Sequence, residues 1–308
     1  MILFIPGQAT RRQPTVTTTP IAGVHGIWNY GYQRKAGGDL AAAVRAISSD
    51  WRAWVGQGLG DFDLMIPVPS QVPVAYYSDC LFRGMRMGVT EPDELSPFGQ
   101  QMFIAWVGEL SESTLLARPV REGALTVPVR EAAQWLTERH GNYARRVVTA
   151  TVQELATYFD PDCGELREAA LGRVAGLLRE HRPRVLLAHS LGSVVAYEAL
   201  CAHPGLAVEL FVTLGSPLAM RGVVFNRLTP VPTGRGMRPS GAGAWVNIAD
   251  RGDPVAVPRR MLAERFDGVD RDHETMIGLF DPHLAKGYLR CREVAREVAP
   301  YLMLPTGG

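Results

Sequence analysis

Ser190, the histidines downstream of it and the carboxylates between them have the types and the chain order that acyl transfer needs. Ser190 lies in Ala188-His189-Ser190-Leu191-Gly192, after the apolar run Val185-Leu186-Leu187 and before a helical stretch, Ser193–His203, that Pro204-Gly205 closes. An unbroken apolar run of this length predicts a central strand buried on both faces. A serine pinched between such a strand and a helix occupies a sharp, strained turn with its hydroxyl projecting outward. Ala188 and Gly192 are the small residues required where strand and helix nearly touch, and Ala188 departs by one methyl from the usual first glycine. The helix start also places unpaired N–H groups and a positive dipole end beside Ser190, which favours negative charge there.

A serine hydroxyl is a poor nucleophile until a histidine accepts its proton and a carboxylate fixes that imidazole. With serine at such a turn, the acid and then the base follow in chain order. Ala244–Asp250 reads as a strand, so Asp250 and Asp253 are the acid candidates. Asp253 is preferred because it lies beyond the strand end, before Pro254 opens a helix, where a carboxylate can reach inward. Asp250 is the alternative, finishing the strand or capping the turn. Two histidines follow, His273 and His283. His283 is preferred because it stands at the threshold of the final helix, with a fixed backbone and a free imidazole. His273, after a possible last strand at Phe266–Val269, is the alternative base.

An oxyanion needs N–H donors as well. Ile21–Val24 predicts a strand, and His25-Gly26-Ile27 follows it. A glycine there lets a peptide plane turn its N–H into the site. The donors are assigned to Ile27 (Gly26 is the alternative) and to Leu191. Ser216, in Gly215-Ser216-Pro217, precedes proline with no helix directly after it and reads as a residue of the rim.

The elements that would carry these groups form an alternating pattern. Leu40, Val44, Ile47 and Trp51 make one stripe of a crossover helix over 39–55. Phe62–Pro67 and Val72–Cys80 are strand candidates, the first demoted toward an edge by its proline. Met1 is followed by a possible short strand at 2–6, with 15–19 as its hairpin partner. Residues 82–140 are long for a connection and carry helical stretches of their own, so they read as a cap or lid insertion. Its stripe of Phe98, Met102, Phe103, Trp106 and Leu110 either seats the cap on the body or lines an acyl pocket. Tyr143–Phe159 and Leu166–His181 are amphipathic helices, and the second feeds the serine strand. Ala207–Leu214 is a further strand, and Val223–Ser240 a loop over the entrance.

Composition sets the outer bounds. A chain with 46% hydrophobic and 20% charged residues is ordinary globular protein, expected as one domain over 1–308. A net charge of +1 with scattered arginines gives no electrostatic case for nucleic acid. The four cysteines are widely spaced, with no C-x-x-C pair, which points to free thiols in a reducing compartment. No secretory leader is evident and no window approaches ~18 uninterrupted apolar residues. A cytoplasmic protein without an integral membrane segment is expected.

Val24-His25-Gly26, Ala188-His189-Ser190-Leu191-Gly192-Ser193, Leu214-Gly215-Ser216-Pro217-Leu218, Asp253-Pro254-Val255 and His283 ahead of Tyr288-Leu289 together resemble the α/β-hydrolase superfamily. Within it the chain is similar to actinobacterial lipase/esterase-like serine hydrolases. The resemblance implies a mostly parallel sheet of about eight strands with helices on both faces, and Ser190-Asp253-His283 as a catalytic triad. It also implies hydrolysis of carboxylic esters, acyl-lipid esters included, without a cofactor or metal. A thioesterase or acyltransferase working on a carrier-bound acyl chain would use the same triad, and a catalytically silent hydrolase fold acting as a binding module is the reading from another class. The resemblance does not extend to residues 82–140 and so implies no particular substrate.

Overall fold

The computed structural model describes residues 19–62, 66–82, 89–111, 125–256, 262–278 and 281–303. The candidate strand at 2–6 lies outside them, as do the first four residues of its partner.

Six strands form one sheet: β1 (Ile21–Val24), β2 (Val74–Ala75), β3 (Val185–His189), β4 (Val208–Leu214), β6 (Ala242–Asp250) and β8 (Arg271–Thr275). Their order is β2-β1-β3-β4-β6-β8, and every neighbouring pair is parallel. The eight strands implied by the resemblance are therefore six in this sheet among the described residues. Two further strands, β5 (Gly236–Met237) and β7 (Phe266–Asp267), pair with each other apart from it. Phe266–Val269 is thus not the last strand of the sheet. That place belongs to β8, which contains His273.

Strand residues alternate between two cores, as the period of two requires. Ile21, Val185, Leu187, Leu210, Val212, Val246 and Ile248 face one, which α2 (Leu40–Asp61), α9 (Ala285–Arg290) and α10 (Arg292–Met303) cover. Ala22, Val24, Leu186, Ala188, Phe211 and Trp245 face the other. That side is covered by α4 (Pro97–Leu110), α5 (Thr126–Phe159), α6 (Gly164–His181) and α7 (Leu191–Ala202). Three short helices, α1 (Tyr30–Lys35), α3 (Ser78–Phe82) and α8 (Leu262–Arg265), join them.

In the excursion after β2, α4 packs along α5, and α5 is broken at Gly141 (φ 81°, ψ 170°). The stretches 129–139 and 143–159 are thus two halves of one broken helix. Met102, Phe103 and Trp106 are wholly buried and belong to the same core as Leu186 and Phe211, so this stripe fastens the excursion to the sheet.

From β1 the chain runs out to the edge strand β2 and then returns to the other side of β1 as β3. The sheet therefore changes winding direction between β1 and β3. Just beyond the carboxyl ends of strands at such a switch point, the connecting loops diverge and leave a crevice. His25-Gly26-Ile27 and Ser190 sit there.

Candidate active site

Ser190 is the residue between β3 and α7, at φ 54° and ψ −129°. A non-glycine residue held there stores on the order of 1–3 kcal/mol of backbone strain. Packing enforces it. A Cβ on Gly192 would lie 2.3 Å from the His25 carbonyl oxygen and 2.6 Å from that of Val24, so α7 begins in contact with the end of β1. A Cβ on Gly26 would come within 2.7 Å of both Ser190 Cβ and His189 Nδ1.

Ser190 Oγ donates to His283 Nε2 at 2.9 Å, and His283 Nδ1 donates to the two oxygens of Asp253 at 2.9 and 2.8 Å. The chain of bonds fixes the tautomer: a proton on Nδ1 leaves Nε2 as an acceptor. Asp253 also receives Tyr288 Oη–H at 2.6 Å and the Val255 amide at 2.8 Å. Burial, with the neighbouring Asp253 charge next, pushes the Tyr288 hydroxyl well above its ordinary pKa, so it remains a donor. Trp106 Nε1 donates to the Pro254 carbonyl at 2.9 Å and ties the aspartate turn to α4. No helix opens at Pro254 within 254–256, which form bends.

The two alternatives lie elsewhere. His273 Nε2 is bonded to Glu297 at 2.9 Å on the β8 edge. Asp250 ends β6 and spends its oxygens on the Gly252 and Ile277 amides at 2.6 and 2.5 Å. Ser216 Oγ bonds Ser193 Oγ at 2.7 Å, and Ser193 Oγ donates to the Ser190 carbonyl at 2.6 Å, so both hydroxyls brace the turn.

Two histidines that burial keeps neutral hold backbone around Ser190, one at the Gly26–Ile27 peptide and the other at His283. His25 is pushed down to about 4 by desolvation. Its Nδ1–H donates to the Gly26 carbonyl at 2.7 Å while Nε2 accepts the Tyr77 amide at 3.1 Å. Asn29 Nδ2 donates to the same Gly26 carbonyl at 2.9 Å. In a planar trans peptide the N–H points opposite the C=O. Pinning Gly26 O therefore aims the Ile27 N–H the other way. Leu191 opens α7, so its N–H has no acceptor inside the helix. His189, also lowered well below its ordinary value by burial, donates Nε2–H to the His283 carbonyl at 2.9 Å and holds that backbone in place.

Exposure differs from the sequence expectation. The sharp strand-to-helix turn predicts an outward hydroxyl, yet Ser190 has no accessible surface, and Asp253 and His283 are 4% and 3% exposed. A 290 Å³ cavity reaches His283 from the α2 side, walled by Ile27, Trp28, Trp51, Trp54 and Leu284 with Lys286 at its edge. A larger cavity of 880 Å³ between α2, β8 and α9 touches none of Ser190, Asp253 and His283.

Sequence reasoning missed Tyr288, Trp106 and Asn29 as parts of this arrangement. Tyr288 sits five residues beyond His283 within α9, a spacing that lets both reach one carboxylate. Trp106 and Asn29 act through backbone carbonyls, which leave no trace in residue type.

The fold and site together define an α/β protein with a buried Ser–His–Asp hydrogen-bonded chain at the carboxyl end of a parallel sheet. No known family model matches the chain, and neither curated proteins nor solved structures give a significant match. No helix among the described residues is long and apolar enough to cross a membrane.

Proposed function

We propose that the protein is a serine hydrolase of the α/β-hydrolase kind that cleaves carboxylic esters through an acyl-enzyme. The observation that carries this reading is the unbroken relay from Ser190 Oγ through His283 to Asp253, with each bond at 2.8–2.9 Å. Ser190 Oγ attacks the carbonyl carbon while its proton passes to His283 Nε2. Asp253 holds the imidazole and offsets the charge of the imidazolium. The Ile27 and Leu191 N–H groups receive the oxyanion, each worth on the order of 10²–10³ in rate. The tetrahedral adduct expels the alkoxide, which takes the proton from His283. Water repeats the sequence and releases the acid.

A carbonyl carbon must approach Ser190 Oγ to about 3–3.5 Å. Because Ser190 is fully buried, the segments over it part before substrate binds. The cavity beside His283 supports a compact acyl or alcohol group: about 150 Å³ suffices for benzene, and this space is roughly twice that.

Labelling by a fluorophosphonate probe, followed by a p-nitrophenyl ester series, tests the reading. Wild type labels, Ser190→Ala does not, and His273→Ala labels like wild type. A wild-type chain that neither labels nor hydrolyses any ester in the series overturns it, and loss of labelling in His273→Ala alone overturns the assignment of the base.

A further inference from the structure

Glu154, in the second half of α5, is a buried carboxylate for which the acyl-transfer scheme has no task. It is 6% exposed, its Oε1 accepts the Trp28 amide at 2.8 Å, and its Oε2 has no hydrogen-bond partner among the described residues. Removing an ionisable group from water is expensive unless it is fully paired. Burial accordingly pushes this carboxyl up to about 7.

What it grips is the strained turn next to the oxyanion loop. Trp28 has φ 64°, which costs a bulky residue on the order of 1–2 kcal/mol. The residue is 47% exposed, so burial alone does not hold it in that conformation. Hydrogen bonds do. Asn29 Nδ2 donates to the Ile27 carbonyl at 2.8 Å and Glu154 accepts the N–H of the same peptide, so the 27–28 plane is pinned at both ends. Tyr76 Oη donates to the Asn29 carbonyl at 2.8 Å and closes the turn. The 26–27 plane, whose N–H is the assigned oxyanion donor, is hinged on this one at Ile27 Cα.

We propose that Glu154 is a positioning residue of the acyl-transfer site: from α5 it holds the Trp28 amide, and thereby orients the Ile27 N–H toward the oxyanion. The inference rests on the hydrolase reading. It makes the α4–α5 excursion part of the oxyanion machinery, because the helix on that face of the sheet carries the group that sets the donor peptide.

Three variants test it by steady-state kinetics on a p-nitrophenyl ester and by fluorophosphonate labelling rates, with thermal unfolding alongside. Glu154→Gln keeps an acceptor at the same reach and stays within about threefold of wild type in kcat. Glu154→Asp keeps a carboxyl but falls a methylene short, and Glu154→Leu loses the acceptor. Both lower kcat by about 10–100-fold, as misplacement of a catalytic group by an ångström does. KM hardly moves, because the oxyanion exists only in the transition state. If Glu154→Leu does not fold, the Gln–Asp contrast decides. Wild-type kcat in Glu154→Asp, or a Gln variant as slow as Asp, overturns the inference while leaving the hydrolase reading intact. An inert wild type overturns both.

Discussion

Tyr288 Oη lies 2.6 Å from Asp253 Oδ2 and at the same time accepts the Asp250 amide at 2.9 Å. One hydroxyl from α9 thus links the two carboxylate residues at the end of β6 and holds only one of them against His283. Tyr288→Phe removes the donor and leaves the Asp250 amide buried without an acceptor. A hydrogen bond to a charged group contributes about 1.5–3 kcal/mol, so unfolding free energy should fall by that amount. Activity should fall more modestly, by roughly tenfold, because the Val255 amide and His283 still hold the carboxylate. Denaturant unfolding beside kcat on one ester measures both, and an unchanged midpoint would contradict the assignment.

The same geometry separates the two aspartates. In Asp253→Asn an amide replaces the oxygens that receive His283 Nδ1–H and favours the wrong tautomer, and kcat should drop by about 10⁴. Asp250→Asn disturbs instead the Gly252 and Ile277 amides, which its oxygens hold at 2.6 and 2.5 Å. That variant should lose stability and keep most of its kcat per folded molecule. Rates normalised to active-site titration read the contrast directly, and equal losses in the two variants would mean that Asp253 is not the acid.

Gly26→Ala puts a methyl 2.7 Å from Ser190 Cβ and His189 Nδ1, both of which are fixed by their neighbours. The peptide bearing the Ile27 N–H has to move, and an ångström there costs about 10²-fold in rate. Gly192→Ala is worse, because its new carbon meets backbone oxygens at 2.3 and 2.6 Å that cannot rotate away. The first variant should fold with weak labelling, whereas the second should lose on the order of 1–3 kcal/mol of stability as well. Unimpaired labelling in Gly26→Ala would remove that peptide from the site.

Much of this arrangement was legible in the sequence, and the rest was hidden for physical reasons. An apolar run, a small–His–Ser–x–Gly turn and a helix leave few alternatives for residues 185–202. Asp253 was separable from Asp250 by lying beyond the end of β6, whereas the other positional arguments held only in part: Pro254 opens no helix, His283 precedes α9 and not the final helix α10, and His273 lies within β8. The helix read over 39–55 continues to Asp61 as α2, through the glycines at 56, 58 and 60. A Cβ on Gly58 would meet the backbone of Leu289 and Arg290 at 3.0–3.1 Å, so this glycine serves the close approach of α9. Val72–Cys80 has strand composition, but only Val74–Ala75 pair. Tyr77 instead spends its amide and hydroxyl on His25, a partner 52 residues away. β8 escaped notice because Arg-Asp-His-Glu-Thr carries the charged side chains of a half-buried edge strand rather than an apolar pattern. Nothing in the elbow signals the burial of Ser190, which depends on what packs over it.

Glu154 and His25 should leave opposite marks on the pH dependence of stability. Burial raises Glu154 from an ordinary 4.5 to about 7, so the folded protein prefers it protonated. Its contribution is fully present below pH 4.5 and is lost as pH rises through 7. At about 1.36 kcal/mol per pKa unit this amounts to roughly 3 kcal/mol, most of it between pH 5 and 8. His25 is lowered from 6.5 to about 4, so the stability it brings is present above pH 6.5 and drains away as pH falls toward 4. The two slopes oppose each other and largely cancel between about pH 4.5 and 6.5, leaving the Glu154 slope alone above that range. Glu154→Gln removes only the alkaline slope: wild type should lose about 2–3 kcal/mol from pH 5 to pH 8 that the variant retains. Urea unfolding of both proteins at pH 5, 6.5 and 8 measures the difference. Parallel curves would mean that Glu154 titrates alike in the folded and unfolded chain, and that its carboxyl is not desolvated by the fold.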